Sequence, residues 1–188
     1  AAANINAQTD STGVTATART VTQLTFANTT SANFSLTATS SNSAAVTVSF
    51  NVANASTAAG LAEAVKAFND VASQTGITAS VNSAANGIVL TNSAGDDISL
   101  TNTAGSQASL SLAAYDAAAS ATSGVDTFTA ATAAANTGAV VAAHGTLEFN
   151  ADKGFSLGPN TSAYLAANTS STLQSVSTID ISTTTGST

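Results

Sequence analysis

Residues 67–81 read Ala67-Phe-Asn-Asp-Val-Ala-Ser-Gln-Thr-Gly-Ile-Thr-Ala-Ser-Val81. A shorter version stands at the amino terminus as Asn4-Ile-Asn-Ala-Gln-Thr-Asp-Ser-Thr-Gly-Val-Thr-Ala-Thr-Ala18. Each copy has the pattern of the last turn of a helix, a glycine that ends the helix, and a strand of alternating small and β-branched residues. The repeat predicts architecture before chemistry. The positions that carry the motif are Ile5, Asn6, Gly13 and Val14 in the first copy, and Phe68, Asn69, Gly76 and Ile77 in the second.

The second copy continues a helix that we predict over about residues 58–74. Leu61, Val65 and Phe68 recur at spacings of four and three, which places one apolar stripe against a sheet. Ser56 or Thr57 supplies an amino-terminal cap. The first copy begins inside its motif, so residues 1–8 are predicted to be a truncated helix that also packs on the sheet.

The remaining chain alternates between β-branched and polar residues, and we predict mostly antiparallel strands and hairpins. With one long amphipathic helix and one truncated helix, the fold class is α+β. Asn86-Gly87, Gly95-Asp96 and Asp152-Lys153-Gly154 predict hairpin turns. The predicted strands are Val14–Phe26, Asn33–Thr39, Ala45–Val52, Ile77–Val81, Gly87–Thr91, Asp97–Thr101, Ala108–Ala114, Val125–Ala130, Thr146–Ala151 and Gly154–Leu157. The first of these ranges is either one long strand or two short ones.

The composition argues against several classes of partner. Of 188 residues only 7% are charged, against roughly 25% in ordinary domains. Ten acidic residues against three cations give a net charge of −7, so we expect neither nucleic acid nor an anionic membrane as a partner. No run is long enough to span a membrane. The chain has no cysteine and therefore neither disulfides nor thiolate metal sites.

Few residues suggest chemistry. His144 is the only histidine, and we expect an exposed loop histidine because no second histidine or cysteine could join it at a metal. Asp96 and Asp97 follow Gly95, which favours a turn over a magnesium site. A weak calcium site stays open as an alternative, in which Asp10, Asp116 and Asp126 approach these residues in space. No G-x-S-x-G motif occurs. We expect no catalytic residues, no metal and no cofactor, and so no enzyme.

The unit Ser56–Leu100 resembles the repeat found in bacterial flagellins and hook-associated proteins. In that family an alanine-rich helix ending in an Ile-Asn pair leads into a Thr-Gly-Val-Thr-Ala-Ser strand, and then into a Gly-x-Leu-Thr strand. The corresponding residues are Phe68-Asn69, Thr75–Ser80 and Gly87–Thr91. Val176–Thr183 is similar to the segment by which flagellin re-enters its inner helical region.

The resemblance implies the outer, variable domain of a flagellin, without the terminal helical segments that build the filament core. It implies an extracellular structural protein of the flagellum that contributes filament surface, antigenicity and motility. The partners would be other flagellin subunits, bound through core segments absent from this sequence, and O-linked glycans on Ser or Thr. We expect two lobes, an inner one of residues 1–27 and about 124–188, and an outer one of about 28–123. The alternative function is a surface adhesin or glycan-binding module of an exported bacterial protein.

Overall fold

The computed structural model describes residues 2–26, 31–42, 44–103, 110–115, 123–128 and 140–156. As the sequence predicts, these residues form a mixed α+β fold with mostly antiparallel strands. The helices are short, and the strands are arranged in two sheets. The helices within these ranges are α1 (Ala2–Asn6), α2 (Thr9–Thr12), α3 (Ala58–Asp70) and α4 (Ala72–Thr75). The strands are β1 (Val14–Phe26), β2 (Ala32–Thr39), β3 (Val46–Val52), β4 (Ile77–Val81), β5 (Gly87–Asn92), β6 (Ile98–Asn102), β7 (Leu110–Ala114), β8 (Ser123–Phe128), β9 (Val140–Ala143) and β10 (Thr146–Ala151).

The first sheet has the order β4-β5-β1-β7-β8, and β10 also pairs with β1. The second sheet has the order β3-β2-β6-β9. β1 is central to the first sheet, because Thr22 lies opposite Leu90 of β5 on one side and Ala114 of β7 on the other. The predicted hairpin at Asn86-Gly87 is confirmed by the antiparallel pairing of β4 with β5.

The prediction of one long helix over 58–74 is wrong. Val71 separates α3 from α4 with φ −105° and ψ 7°. The amide of Val71 donates to the carbonyl of Phe68 at 3.3 Å, a three-residue spacing unlike the four-residue spacing of an α-helix. Gln8 makes the same break between α1 and α2, with φ −107° and ψ 9°. The apolar spacing continues through the break, so periodicity does not reveal it.

The predicted hairpin at Gly95-Asp96 is also wrong. β5 lies in the first sheet and β6 in the second, so this link passes from one sheet to the other. Gly95 does form a turn, with φ 78° and its amide 3.4 Å from the carbonyl oxygen of Asn92. β6 cannot pair with β5 because β4 and β1 already occupy both sides of that strand.

The end of the described chain differs from prediction in a third place. β10 ends at Ala151, and residues 152–155 form no strand, so the predicted strand Gly154–Leu157 is not formed as far as Ser156, where the described chain ends. Ser156 makes only an isolated bridge. The segment that resembles flagellin re-entry, Val176–Thr183, lies outside the described residues.

The chain divides into two compact units. Unit 1 comprises Ala1–Thr17 and Glu148–Thr188, and unit 2 comprises Ala18–Leu147. The two lobes expected from the sequence, with a boundary near residue 27 and another near 124, stay a prediction.

The core of unit 2 is a cluster of phenylalanine rings from both sheets and from α3. The ring centroid of Phe34 in β2 lies 5.0 Å from that of Phe26 in β1 and 5.5 Å from that of Phe50 in β3. Phe68 of α3 lies 5.8 Å from Phe50. Thr57 caps α3, its hydroxyl oxygen accepting from the amide of Gly60 at 3.2 Å. The helix therefore presents its predicted apolar stripe to this core.

Candidate functional site

The candidate site consists of the two helix–glycine–strand copies. Each ends its second helical piece at a glycine in the left-handed conformation, Gly13 with φ 67° and Gly76 with φ 72°. The amide of Gly13 donates to the carbonyl of Thr9 at 2.7 Å, and that of Gly76 to the carbonyl of Ala72 at 2.8 Å. Glycine adopts this conformation without a steric penalty, which explains why the residue stands at this position in both copies.

An asparagine in each copy binds the backbone of the following strand with both ends of its carboxamide. Asn69 donates through Nδ2 to the carbonyl of Ala79 at 3.0 Å, and its Oδ1 accepts from the amide of Ala79 at 2.8 Å. Asn6 binds Ala16 in the same way, at 2.8 and 2.6 Å. A carboxamide carries a donor and an acceptor side by side and so makes both bonds, whereas an ionised carboxylate of the same shape has no proton to donate. We call each pair of bonds an asparagine clamp.

Each copy also uses a threonine that the sequence analysis gave no role. The hydroxyl oxygen of Thr75 accepts from the amide of Ile77 at 3.2 Å, and that of Thr12 accepts from the amide of Val14 at 3.2 Å. The signal was available, since a threonine stands immediately before the glycine in both copies. The sequence alone does not reveal the role of this threonine, because threonine is abundant in this chain.

The strands of the two copies obtain their partners differently. In the second copy Thr78 of β4 donates through Oγ1 to the carbonyl of Thr91 at 3.3 Å, and β5 follows β4 directly. In the first copy Thr15 donates to the carbonyl of Asn150 in β10 at 3.2 Å, across 135 residues of chain. β10 therefore occupies, in unit 1, the place that β5 occupies in the second copy.

The two copies differ in the burial of their side chains, although their hydrogen bonds are alike. Phe68 and Ile77 are fully buried in unit 2, whereas Ile5 and Val14 are half-buried. Neither α1 nor α2 has a buried residue. Among the residues that the structure describes, the first copy therefore has the same backbone hydrogen bonds as the second. Its apolar side chains are less buried.

A second group of polar residues lies in unit 2, around the link between β5 and β6. Asp97 accepts from the Gly145 amide through Oδ1 at 3.2 Å, and its Oδ2 lies 2.9 Å from Nδ1 of His144. The hydrogen bond to His144 holds the pKa of Asp97 below its usual value of 3.8, with partial burial opposing it and the Gly145 amide assisting. Both side chains of this pair are well exposed, His144 at 64% and Asp97 at 59%. His144 is therefore an exposed histidine between two strands, as predicted.

The same group does not assemble a catalytic chain. Ser41 donates to Oδ2 of Asp96 at 2.6 Å, while His144 is bonded to the neighbouring Asp97. Serine and histidine therefore have separate carboxylate partners. Within the described ranges no group of three or more His, Cys, Asp or Glu side chains could hold a metal ion. The side chains of Asp116 and Asp126 lie outside what the structure describes.

No protein-family model matches the chain, and a search of curated proteins finds no significant match. Among the residues that the structure describes, no helix has the length and apolar character needed to cross a membrane.

Proposed function

We propose that this chain is the outer, solvent-facing domain of a bacterial flagellin, or of a closely related hook-associated protein, and acts as an extracellular structural component of the filament. The observation that carries the proposal is the repeated unit whose residues resemble the flagellin repeat. The clamps of Asn6 and Asn69 and the caps at Gly13 and Gly76 support it, because they give the sequence repeat a common backbone construction. Such a domain would contribute filament surface, antigenicity and motility.

The outward side of the second sheet supports a display role. We call the residues Asn33, Ser35, Thr37, Thr47, Ser49 and Asn51 of β2 and β3 the polar face. Asn51 donates to Oδ1 of Asn33 at 2.9 Å, and Ser49 donates to Oγ of Ser35 at 3.1 Å. Short side chains that bond one another lose little conformational entropy and carry no charge. This face stays hydrated without strong attraction to neighbouring molecules.

The excess of acidic residues over basic ones also weakens attraction between neighbouring molecules. A net charge of −7 with three cations produces mutual repulsion between identical copies at neutral pH. A polymer that holds many copies close together benefits from such a surface. Neighbouring subunits, bound through helical segments outside this chain, and O-linked glycans on exposed Ser or Thr are the partners that the proposal implies.

Thiol labelling of living cells tests the proposal, because these 188 residues contain no cysteine. Ser49→Cys is introduced into the chromosomal gene of the source bacterium, and intact cells are treated with a membrane-impermeant fluorescent maleimide. Since Ser49 is exposed, we expect fluorescent filaments on cells that still swim. Val48→Cys is the matched control, since Val48 is the next residue and is 2% exposed, so it should stay unlabelled.

Label spread over the cell envelope with bare filaments would contradict the proposal and favour the adhesin. Label confined to the junction between hook and filament would assign the chain to a hook-associated protein.

A further inference from the structure

β4 lies at an edge of the first sheet, where it pairs with β5 and with no other strand of the described chain. In an antiparallel strand, successive residues direct their backbone N–H and C=O groups alternately to the two sides. The amide of Asn82, just beyond β4, donates to the carbonyl of Gly87, so even-numbered residues face β5. Ile77, Ala79 and Val81 therefore turn their backbone groups away from the sheet. Those groups form a ready template for another strand.

Side chains of the two helices that precede β4 occupy part of this template. Asn69 occupies both backbone groups of Ala79, the middle residue of the edge, and Thr75 occupies the amide of Ile77. The bonds have the donor and acceptor arrangement that an added strand would supply. Asn69 is itself exposed, so removing its carboxamide would open the edge of β4 to solvent and to other chains.

The same arrangement recurs in unit 1 on the amino-terminal part of β1. Asn6 occupies the N–H and C=O of Ala16, Thr12 occupies the amide of Val14, and Thr9 donates to the carbonyl of Val14 at 2.9 Å. The residues around the two edges differ and their burial differs, but three occupied backbone groups correspond, and the carbonyl of Val14 is an additional one in unit 1. This recurrence indicates that closing the strand edge, rather than local packing, is what the two copies share.

The chain has little else with which to protect an edge. Charged side chains, especially lysine, and proline are the common protections. The chain has three Lys and Arg residues and one proline in all. β4, Ile-Thr-Ala-Ser-Val, contains none of them and is a strand of high β-propensity without charge. Neutral carboxamides protect the strand edges here, as charged side chains do in ordinary domains.

We propose that Asn6 and Asn69 are strand-edge guards, and that the surface each one covers fits the corresponding strand of a second copy of this chain. Without Asn69, β4 pairs with β4 of another molecule in an antiparallel, two-fold symmetric arrangement. Val14–Thr17 of β1 pairs in the same way without Asn6. The inference concerns association between copies and holds whether or not the chain belongs to a flagellum.

The test compares the full chain with Asn69→Ala by light scattering coupled to size exclusion over a wide range of concentration. We expect the unaltered protein to stay monomeric and Asn69→Ala to approach twice its molar mass, with a dimerisation constant raised by about tenfold or more. Asn51→Ala is the matched control. Asn51 is a half-buried asparagine in β3, and within the described residues its carboxamide bonds side chains rather than backbone, those of Ser31 and Asn33.

A double variant separates edge opening from simple destabilisation. Ala79→Pro removes the outward N–H without disturbing a bond to β5, so Asn69→Ala with Ala79→Pro should return to the monomer. Dimers that persist in this double variant would overturn the proposal. A folded Asn69→Ala that stays monomeric would overturn it for unit 2.

If Asn69→Ala does not fold, the molar mass of Asn6→Ala is measured instead, since Asn6 lies in the other unit. A folded, monomeric Asn6→Ala would overturn the proposal for unit 1. If neither variant folds, the two asparagines are structural supports and the guard role is rejected.

Discussion

The two helix–glycine–strand copies are bonded alike and buried differently. Gln8 and Val71 break their helices with nearly the same dihedral angles, although one side chain is polar and the other apolar. The strand edge is closed by an asparagine in each copy. Yet the second copy contributes fully buried side chains to a core, and the first contributes none from its helices.

This difference shows which features are local. The glycine, the asparagine and the threonine fix the backbone wherever the motif occurs, because their partners lie within ten residues along the chain. Burial is fixed from outside the motif. Phe68 is buried because Phe50 of β3 stands against it. The largest energetic differences between the copies should therefore arise at apolar positions, and the smallest at polar ones.

Truncation of the equivalent apolar residues should show the largest effect. Phe68→Ala removes a fully buried ring and should lower the free energy of unfolding by about 3–5 kcal/mol. Ile5→Ala removes a half-buried side chain and should cost about 1–2 kcal/mol. Urea denaturation of the full chain followed by circular dichroism measures both. Equal losses would mean that the first copy is covered as completely as the second.

The two capping glycines should differ by a smaller amount. Alanine at either position adopts a left-handed conformation, which costs about 1–2 kcal/mol. A Cβ at Gly13 would meet no heavy atom within 4 Å, whereas one at Gly76 would lie 2.7 Å from Oγ of Ser41. Gly76→Ala should therefore cost about 1 kcal/mol more than Gly13→Ala. The same urea titration measures both variants, and a larger loss of stability at Gly13 would mean that the contact with Ser41 does not decide the difference.

The Asp97–His144 pair lies outside both copies and should give the smallest effect. Because the pKa of Asp97 is lowered in the folded protein, its stabilisation is present above the usual value of 3.8 and is lost as pH falls through the lowered pKa. Asp97→Asn should cost only some tenths of a kcal/mol near neutral pH, since both groups are well exposed. Thermal unfolding of the two proteins should converge in acid. A difference that grows as pH falls would have the wrong sign.

Much of the fold follows from sequence pattern. β-Branched alternation gave most of the strands, and the second glycine of the repeat ends its helical segment where predicted. The failures have a common physical origin. Periodicity reports which side chains face the core, but it does not report backbone bonding, so the breaks at Gln8 and Val71 were not predicted. The Gly95-Asp96 sequence predicts a hairpin from local turn preferences alone. The hairpin does not form because β1 occupies the second side of β5.

The polar site was predicted less completely. Asn6 and Asn69 are predicted as repeated positions without a role. The ten-residue spacing between each asparagine and its bonded alanine matches neither helix nor strand periodicity, so the sequence pattern does not reveal the bond. The contact between Asp97 and His144 joins residues 47 apart in the chain, brought together by the pairing of β6 with β9. Only the sheet topology creates that contact.

Hydrogen exchange of the Ala16 and Ala79 amides, followed by NMR in the full chain, tests most directly whether the two copies share one backbone construction. Each amide faces a strand edge and is bound by an asparagine Oδ1. Because each amide is hydrogen-bonded, we expect both to exchange at least about tenfold more slowly than unprotected amides. Protection at Ala79 with free exchange at Ala16 would contradict this expectation, because the repeat in the sequence would then not be a repeat in the structure.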